Sequence, residues 1–193
     1  MSNELDFDYF EEDDSTSASY DQEIMPQQNT TLQLSISLAI EQLLKENRKQ
    51  KHYLTQVKEQ SNMIFSSSTK PKISLLEYLN RIVKYTKVED STLILSIIYL
   101  DKIGQNNLYL TDYNIHTILL VCIIIAIKMN EDSIYDNTYY ANVAGISRKK
   151  LNKLEHEFLN MNKFSLFVDK KVYEQYSQYL SGFYLNNKVY SKS

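Results

Sequence analysis

Along this chain the apolar residues fall at helical spacing, in blocks separated by short polar stretches. Leu32, Ile36, Ala39, Ile40, Leu43 and Leu44 predict an amphipathic helix. It fades into a polar stretch over residues 46–60, softened only by Tyr53, Leu54 and Val57. Residues 61–72 (SNMIFSSSTKPK) read as a linker, with a serine cluster followed by Pro71. Ser74 and Glu77 then make an S-x-x-E capping box ahead of Leu75, Leu76, Leu79, Ile82 and Val83. A second helix is predicted from Asp90 or Ser91 through TLILSIIYLDKI, ending at Gly104 as a left-handed cap. A third starts near Thr111 or Asp112 and is apolar on nearly every face from Ile118 to Ile127.

That third helix organises the picture. A helix apolar all round must be enclosed by protein or lipid, and this run is shorter than the ~20 residues a bilayer requires. It predicts the central helix of a small all-α domain, with a polar edge beginning at Lys128, Glu131 and Asp132. A short helix around residues 138–144 ends at Gly145, and Ser147 can cap the next, which carries Leu151, Leu154, Phe158 and Met161. Asp169 can cap a last helix bearing Val172, Tyr176, Tyr179 and Leu180.

Composition agrees with helices: three glycines and two prolines in 193 residues are few for a β-rich fold. The net charge of −3 conceals an asymmetry. Residues 1–30 carry nine acidic residues and no Lys or Arg, which leaves 21 basic against 15 acidic side chains elsewhere, a net of +6. Residues 1–30 therefore read as a disordered acidic tail, or as a tail that shields a basic face. The single cysteine, Cys122, lies in the apolar run and reads as a buried structural thiol. A lone cysteine and an acidic start without a secretory pattern lead us to expect the cytoplasm, the nucleus, or both.

Catalytic signatures are missing from the sequence. There is no glycine-rich phosphate loop, no H-E-x-x-H and no Cys/His zinc spacing. His52, His116 and His156 are scattered, and Glu155 and Glu157 cannot share a helix face. The expectation is a binding protein rather than an enzyme, without cofactor or metal, and with neither a nucleic-acid nor a membrane partner.

Five segments, in order, carry a resemblance: 78–86 (YLNRIVKYT), 99–102 (YLDK), 110–128, 137–146 (NTYYANVAGI) and 151–158 (LNKLEHEF). Together they resemble the single cyclin box of phosphate-signalling cyclins of the P/U type. The resemblance spans residues 73–168 and implies a five-helix bundle around a central apolar helix, with a preceding N-terminal helix and a short C-terminal one. The implied organisation is a tail at 1–30, an N-terminal helix region at 31–60, a linker at 61–72, the box at 73–168, and a C-terminal helix and tail at 169–193.

By resemblance the function is to bind and activate a cyclin-dependent protein kinase as a heterodimer, in cell-cycle or nutrient signalling. Lys128 and Glu155 match a family pair that holds the kinase-facing edge together and bonds kinase backbone. Glu131 and Asp132 fall where this group carries acidic residues, and are expected to face arginines of the kinase activation segment. Tyr139 and Tyr140 match an aromatic pair expected to pack. The chain departs from the family pattern at three places: Met129 and Asn130 after the lysine, Ala144 with Gly145 before the fifth box helix, and Thr117 after His116. The alternative within the same fold is a scaffold or transcription-factor-like module that binds no kinase.

Overall fold

The computed structural model describes residues 31–106 and 108–190, with side chains in the last helix described as far as Phe183. The expected tail at 1–30 lies outside the described residues. Among these the chain is all helical, in eight segments. They are α1 (Thr31–Lys49), α2 (Tyr53–Glu59), α3 (Leu75–Thr86), α4 (Asp90–Gln105), α5 (Ile115–Asn130), α6 (Asn137–Ala144), α7 (Arg148–Met161) and α8 (Lys170–Tyr190). Helices α3 to α7 form the five-helix bundle.

The bundle is built around α5, in which Ile115 and every residue from Ile118 to Ile127 are buried. Helix α4 packs along it most extensively, and α3 and α7 complete its surroundings. Cys122 is fully buried there, and burial pushes its thiol well above the ordinary value, so it behaves as a small apolar residue.

Local chemistry explains where the helices begin and end. Ser74 Oγ accepts from the Glu77 amide at 3.2 Å while Glu77 Oε2 accepts from the Ser74 amide at 3.0 Å, a complete capping box worth about 1 kcal/mol. Gly145 closes α6 at φ 71°, a left-handed conformation that favours glycine. Ser147 then caps α7 by accepting from the Lys150 amide.

Two expected boundaries are corrected. Gly104 lies inside the last turn of α4 without a left-handed φ, and the helix runs on to Gln105. Helix α5 begins at Ile115 rather than near Thr111, because residues 111–114 form a turn. In it Asn114 Oδ1 accepts from the Thr111 amide at 2.8 Å, and Asn114 Nδ2 donates to the Tyr109 carbonyl.

The N-terminal elements are more firmly attached than their polarity suggests. Within the stretch 46–60, the first residues extend α1 to Lys49 and Tyr53–Glu59 form a second helix, whose Tyr53 is buried. Tyr53 Oη donates to Asp112 at 3.0 Å, and Asp112 also takes Arg48 at 2.8 Å and Lys70 at 3.0 Å. Partial burial pushes the Asp112 carboxyl up, but hydrogen bonds from Lys70, Arg48 and Tyr53 outweigh it and hold the group below the usual carboxylate range. Segment 61–72, expected as a linker, is packed onto the domain. Phe65 is 0% exposed, Ser66 Oγ donates to the Gln60 carbonyl, and the Ser67 amide donates to the Tyr113 carbonyl.

The C-terminal helix is 21 residues, longer than the short helix expected. It lies against α1 and α4, with Leu180 buried and Tyr176 Oη donating to Asp101 at 2.8 Å. No described helix is long and apolar enough to cross a membrane.

His116 supplies a pH-sensitive element. Its Nε2 lies 3.2 Å from the Ile73 carbonyl and its ring packs against Tyr78 at 5.2 Å between centroids. A carbonyl only accepts, so Nε2 carries the proton, and the buried Nδ1 has no partner. A second proton would be buried unbonded. Burial accordingly lowers the histidine pKa, and the Ile73 carbonyl only partly restores it. For a cation disfavoured by folding, stability is complete above the unfolded value of about 6.5. It is lost as pH falls from there towards the lower folded value. His116→Gln keeps a terminal N–H for Ile73 and is expected to flatten the fall in Tm between pH 7 and pH 5; an unchanged slope would assign the acid sensitivity elsewhere.

Candidate functional site

The polar edge forms where the end of α5, the start of α6 and the first half of α7 meet. Lys128 stands in the last turn of α5. Asp136 caps α6 by accepting from the Tyr139 amide at 2.8 Å, which sets Asn137 at the first helical position. Glu155 projects from α7 and is only 8% exposed, since it faces the bundle beside Leu151, Leu154 and Phe158.

These three side chains form one node. Lys128 Nζ lies 2.5 Å from Glu155 Oε1 and 2.6 Å from Asn137 Oδ1. Asn137 Nδ2 donates to the other oxygen, Glu155 Oε2, and to Asn152 Oδ1 at 2.7 Å. The asparagine amide thus bridges both members of the ion pair, with its carbonyl to the cation and its NH2 to the carboxylate. An ammonium has three protons. Two are committed, and the Lys128 side chain keeps 30% of its surface exposed. One donor is left at the edge, suited to a backbone carbonyl of a partner.

The two acids after the lysine behave differently. Glu131 is half-buried, and its Oε1 accepts from the Glu89 amide at 3.0 Å at the start of α4. Beside it, Asn130 Nδ2 donates to Thr92 Oγ1 at 2.8 Å. Glu131 is therefore already engaged in tying the end of α5 to the start of α4. Asp132 is exposed and makes no ion pair or hydrogen bond among the described residues. Of the four residues singled out from the sequence, Lys128 and Glu155 are brought into contact, Glu131 is held within the fold, and Asp132 is open.

Tyr140 is buried, with its hydroxyl accepting from the Tyr135 amide. Tyr139 stacks on Tyr135 at 4.2 Å and donates to the Tyr85 carbonyl at 2.7 Å. Both tyrosines are committed to packing.

Sequence reasoning missed Asn137 and Asn152, although both stand in segments it singled out. An asparagine at a helix start reads as a cap, and nothing local says that it reaches 18 residues along the chain to Glu155. Exposed apolar residues were also missed. Met129, directly after Lys128, is 57% exposed, and Phe164, beyond α7, is 63% exposed. Phe164 sits at φ 57° after Lys163 at φ 51°, both in the left-handed region. Side chains other than glycine rarely adopt it. The turn is held by the Phe164 amide on the Leu159 carbonyl at 2.9 Å, and the ring is kept out of the core.

A family model described as Cyclin matches residues 13–166. The chain is similar to Cyclin-U2-1 of Arabidopsis thaliana, at 37% identity over 119 residues, 61% of this chain and 54% of that one. It is similar to Cyclin-U4-3 of Arabidopsis thaliana, at 33% over 160 residues, 82% of this chain and 68% of that one. A fungal relative, the PHO85 cyclin-like protein psl1 of Schizosaccharomyces pombe, is 34% identical over 128 residues, 65% of this chain and 53% of that one. The chain spans about half the length of several of these curated relatives, 53% of Cyclin-U1-1 among them.

Proposed function

Because this chain belongs to the cyclin family, and to its P/U type, we propose that it is the regulatory subunit of a cyclin-dependent protein kinase, which it binds and activates without catalysis of its own. The observation that carries the reading is the Lys128–Asn137–Glu155 node, a rigid polar edge with an uncommitted ammonium proton beside an unpaired Asp132.

The mechanism follows from conformational equilibrium. A protein kinase fires when its β3 lysine pairs with the glutamate of its αC helix and the phosphates are gripped. A partner whose surface fits only the inward position of that helix shifts the population towards it. The node supplies such a surface, since its three side chains hold one another in place before the partner arrives. Lys128 donates to kinase backbone, and Asp132 meets arginines of the activation segment through charge-assisted hydrogen bonds. The setting we propose is cell-cycle or nutrient signalling, in cytoplasm, nucleus, or both.

The test is to purify the tagged protein from its own cells and assay the eluate for phosphorylation of a generic substrate. A stoichiometric kinase is expected. Asp132→Lys should lower its activity 10- to 100-fold, on the order of the 1.5–3 kcal/mol carried by a hydrogen bond to a charged group. Its Tm should not change, because Asp132 supports nothing in the fold. Full activity in Asp132→Lys removes the aspartate from the mechanism. A soluble, folded protein that brings down no kinase favours the scaffold reading.

A further inference from the structure

Beside the polar node lies a cleft of about 520 Å³ between segment 61–72 and α7. Met63 and Ile64 present its apolar wall, backed by the buried Phe65, and Asn152, Lys153 and His156 line the helix side. We propose that this cleft is the docking site for residues 5–14 of the same chain, LDFDYFEEDD, which lie outside the described residues. The rings of Phe7, Tyr9 and Phe10 meet the apolar wall and the intervening carboxylates meet the cations of α7.

Charge complementarity is the first argument. Helix α7 opens with Arg148, Lys149 and Lys150 and has no acidic residue in its first turn. Three cations there oppose the helix dipole, and together with Lys153 they form no ion pair among the described residues. Some cations elsewhere are matched within the fold, as Arg48 and Lys70 are by Asp112 and Lys49 by Glu46. On α7, Glu155 is used by Lys128, and Glu157 at the cleft margin is the one acid left to offset four cations. The segment at 5–14 brings the opposite sign, with six acidic residues among ten and no base.

Reach is the second argument. Residues 15–30 separate the segment from the start of α1 and extend to at most about 60 Å. That exceeds the ~40 Å breadth expected of a domain this size. A tether of that length gives an effective concentration on the order of millimolar, so a weak contact suffices to keep the cleft filled.

The position gives the contact a consequence. Asn152 lines the cleft and also accepts from Asn137 in the node. A docked segment therefore stands against the edge assigned to the kinase, and in that reading, on which this consequence rests, it competes with the kinase. A segment docked about four fifths of the time weakens partner binding about fivefold.

The deciding experiment needs no kinase. A spin label is placed on the full chain at Asn160→Cys, on the exposed face of α7, with Cys122 protected by its burial. Amide signals of residues 5–14 are expected to broaden at low salt and to recover in 1 M salt, where the screening length falls to about 3 Å. They should also recover in Lys149→Glu plus Lys153→Glu. Absence of broadening at low salt overturns the proposal. So does broadening that survives the charge reversal, or that persists when label and isotope are carried by different molecules, which would make the occupant a second copy.

Discussion

Phe65→Ala is expected to destabilise the domain by about 3–5 kcal/mol, the range for a buried phenylalanine cut to alanine. The loss includes both the transfer of the ring and the cavity left behind. Phe65 is completely buried and belongs to the same core cluster as α5. The rest of its segment cannot compensate. It is fastened by the Ser66 hydroxyl and the Ser67 amide, and hydrogen bonds of this kind contribute about 1 kcal/mol each. The variant should therefore show a lower urea midpoint and faster proteolysis within residues 61–72. Phe65→Leu, which fills part of the space, should recover most of the loss. A cost below about 1 kcal/mol for the alanine variant would mean that the segment merely rests on the surface and that its burial here is not energetically meaningful.

Glu155→Ala is expected to cost about 3 kcal/mol, at the lower end of the range for removing one partner of a buried pair. Lys128 keeps part of its surface exposed, so water screens some of the uncompensated charge and the upper end does not apply. Asn137 also loses its acceptor in Glu155 and keeps only Asn152 for its NH2 group. The sharper test is the exchange of charges, Lys128→Glu with Glu155→Lys. An amide can rotate by a half-turn and present its NH2 where its carbonyl stood, so Asn137 can serve the reversed pair. The double variant is expected to recover at least half of the stability lost by the single variants, read as a coupling energy in a thermal double-mutant cycle. If the proposed kinase activation holds, it should nonetheless be lost in the double variant, because the donor at the edge has become an acceptor. Strict additivity of the two single losses would show that the side chains are not coupled, against the geometry of the node.

What was legible in the sequence and what was not divide along a physical line. Ser74 with Glu77, Gly145 and Ser147 act on amides within three or four residues, and each does what local chemistry dictates. Helix α5 was legible because its composition leaves no face for water. The Lys128–Glu155 contact was reached through resemblance, not periodicity. Asn137 and Asn152, Phe65, and the clasp of Asp112 on Arg48, Lys70 and Tyr53 are partnerships between distant stretches. An asparagine or an aspartate carries no mark of which distant group it will meet. Glu131 shows the same limit. Beside Asp132 it looks equivalent, yet one carboxylate is committed to the Glu89 amide and the other is open.

The packing of α8 on α1 bears on how the protein is made. Helix α1 leaves the ribosome before any part of the bundle, and one of its neighbours, α8, follows about 120 residues later. At 5–20 residues per second that is a wait of roughly 6–24 s. Until then one flank of the first helix stays uncovered, while α3 to α7 can collapse around α5 on their own. The nascent chain is therefore open to chaperones along α1 until α8 has emerged and closed over it.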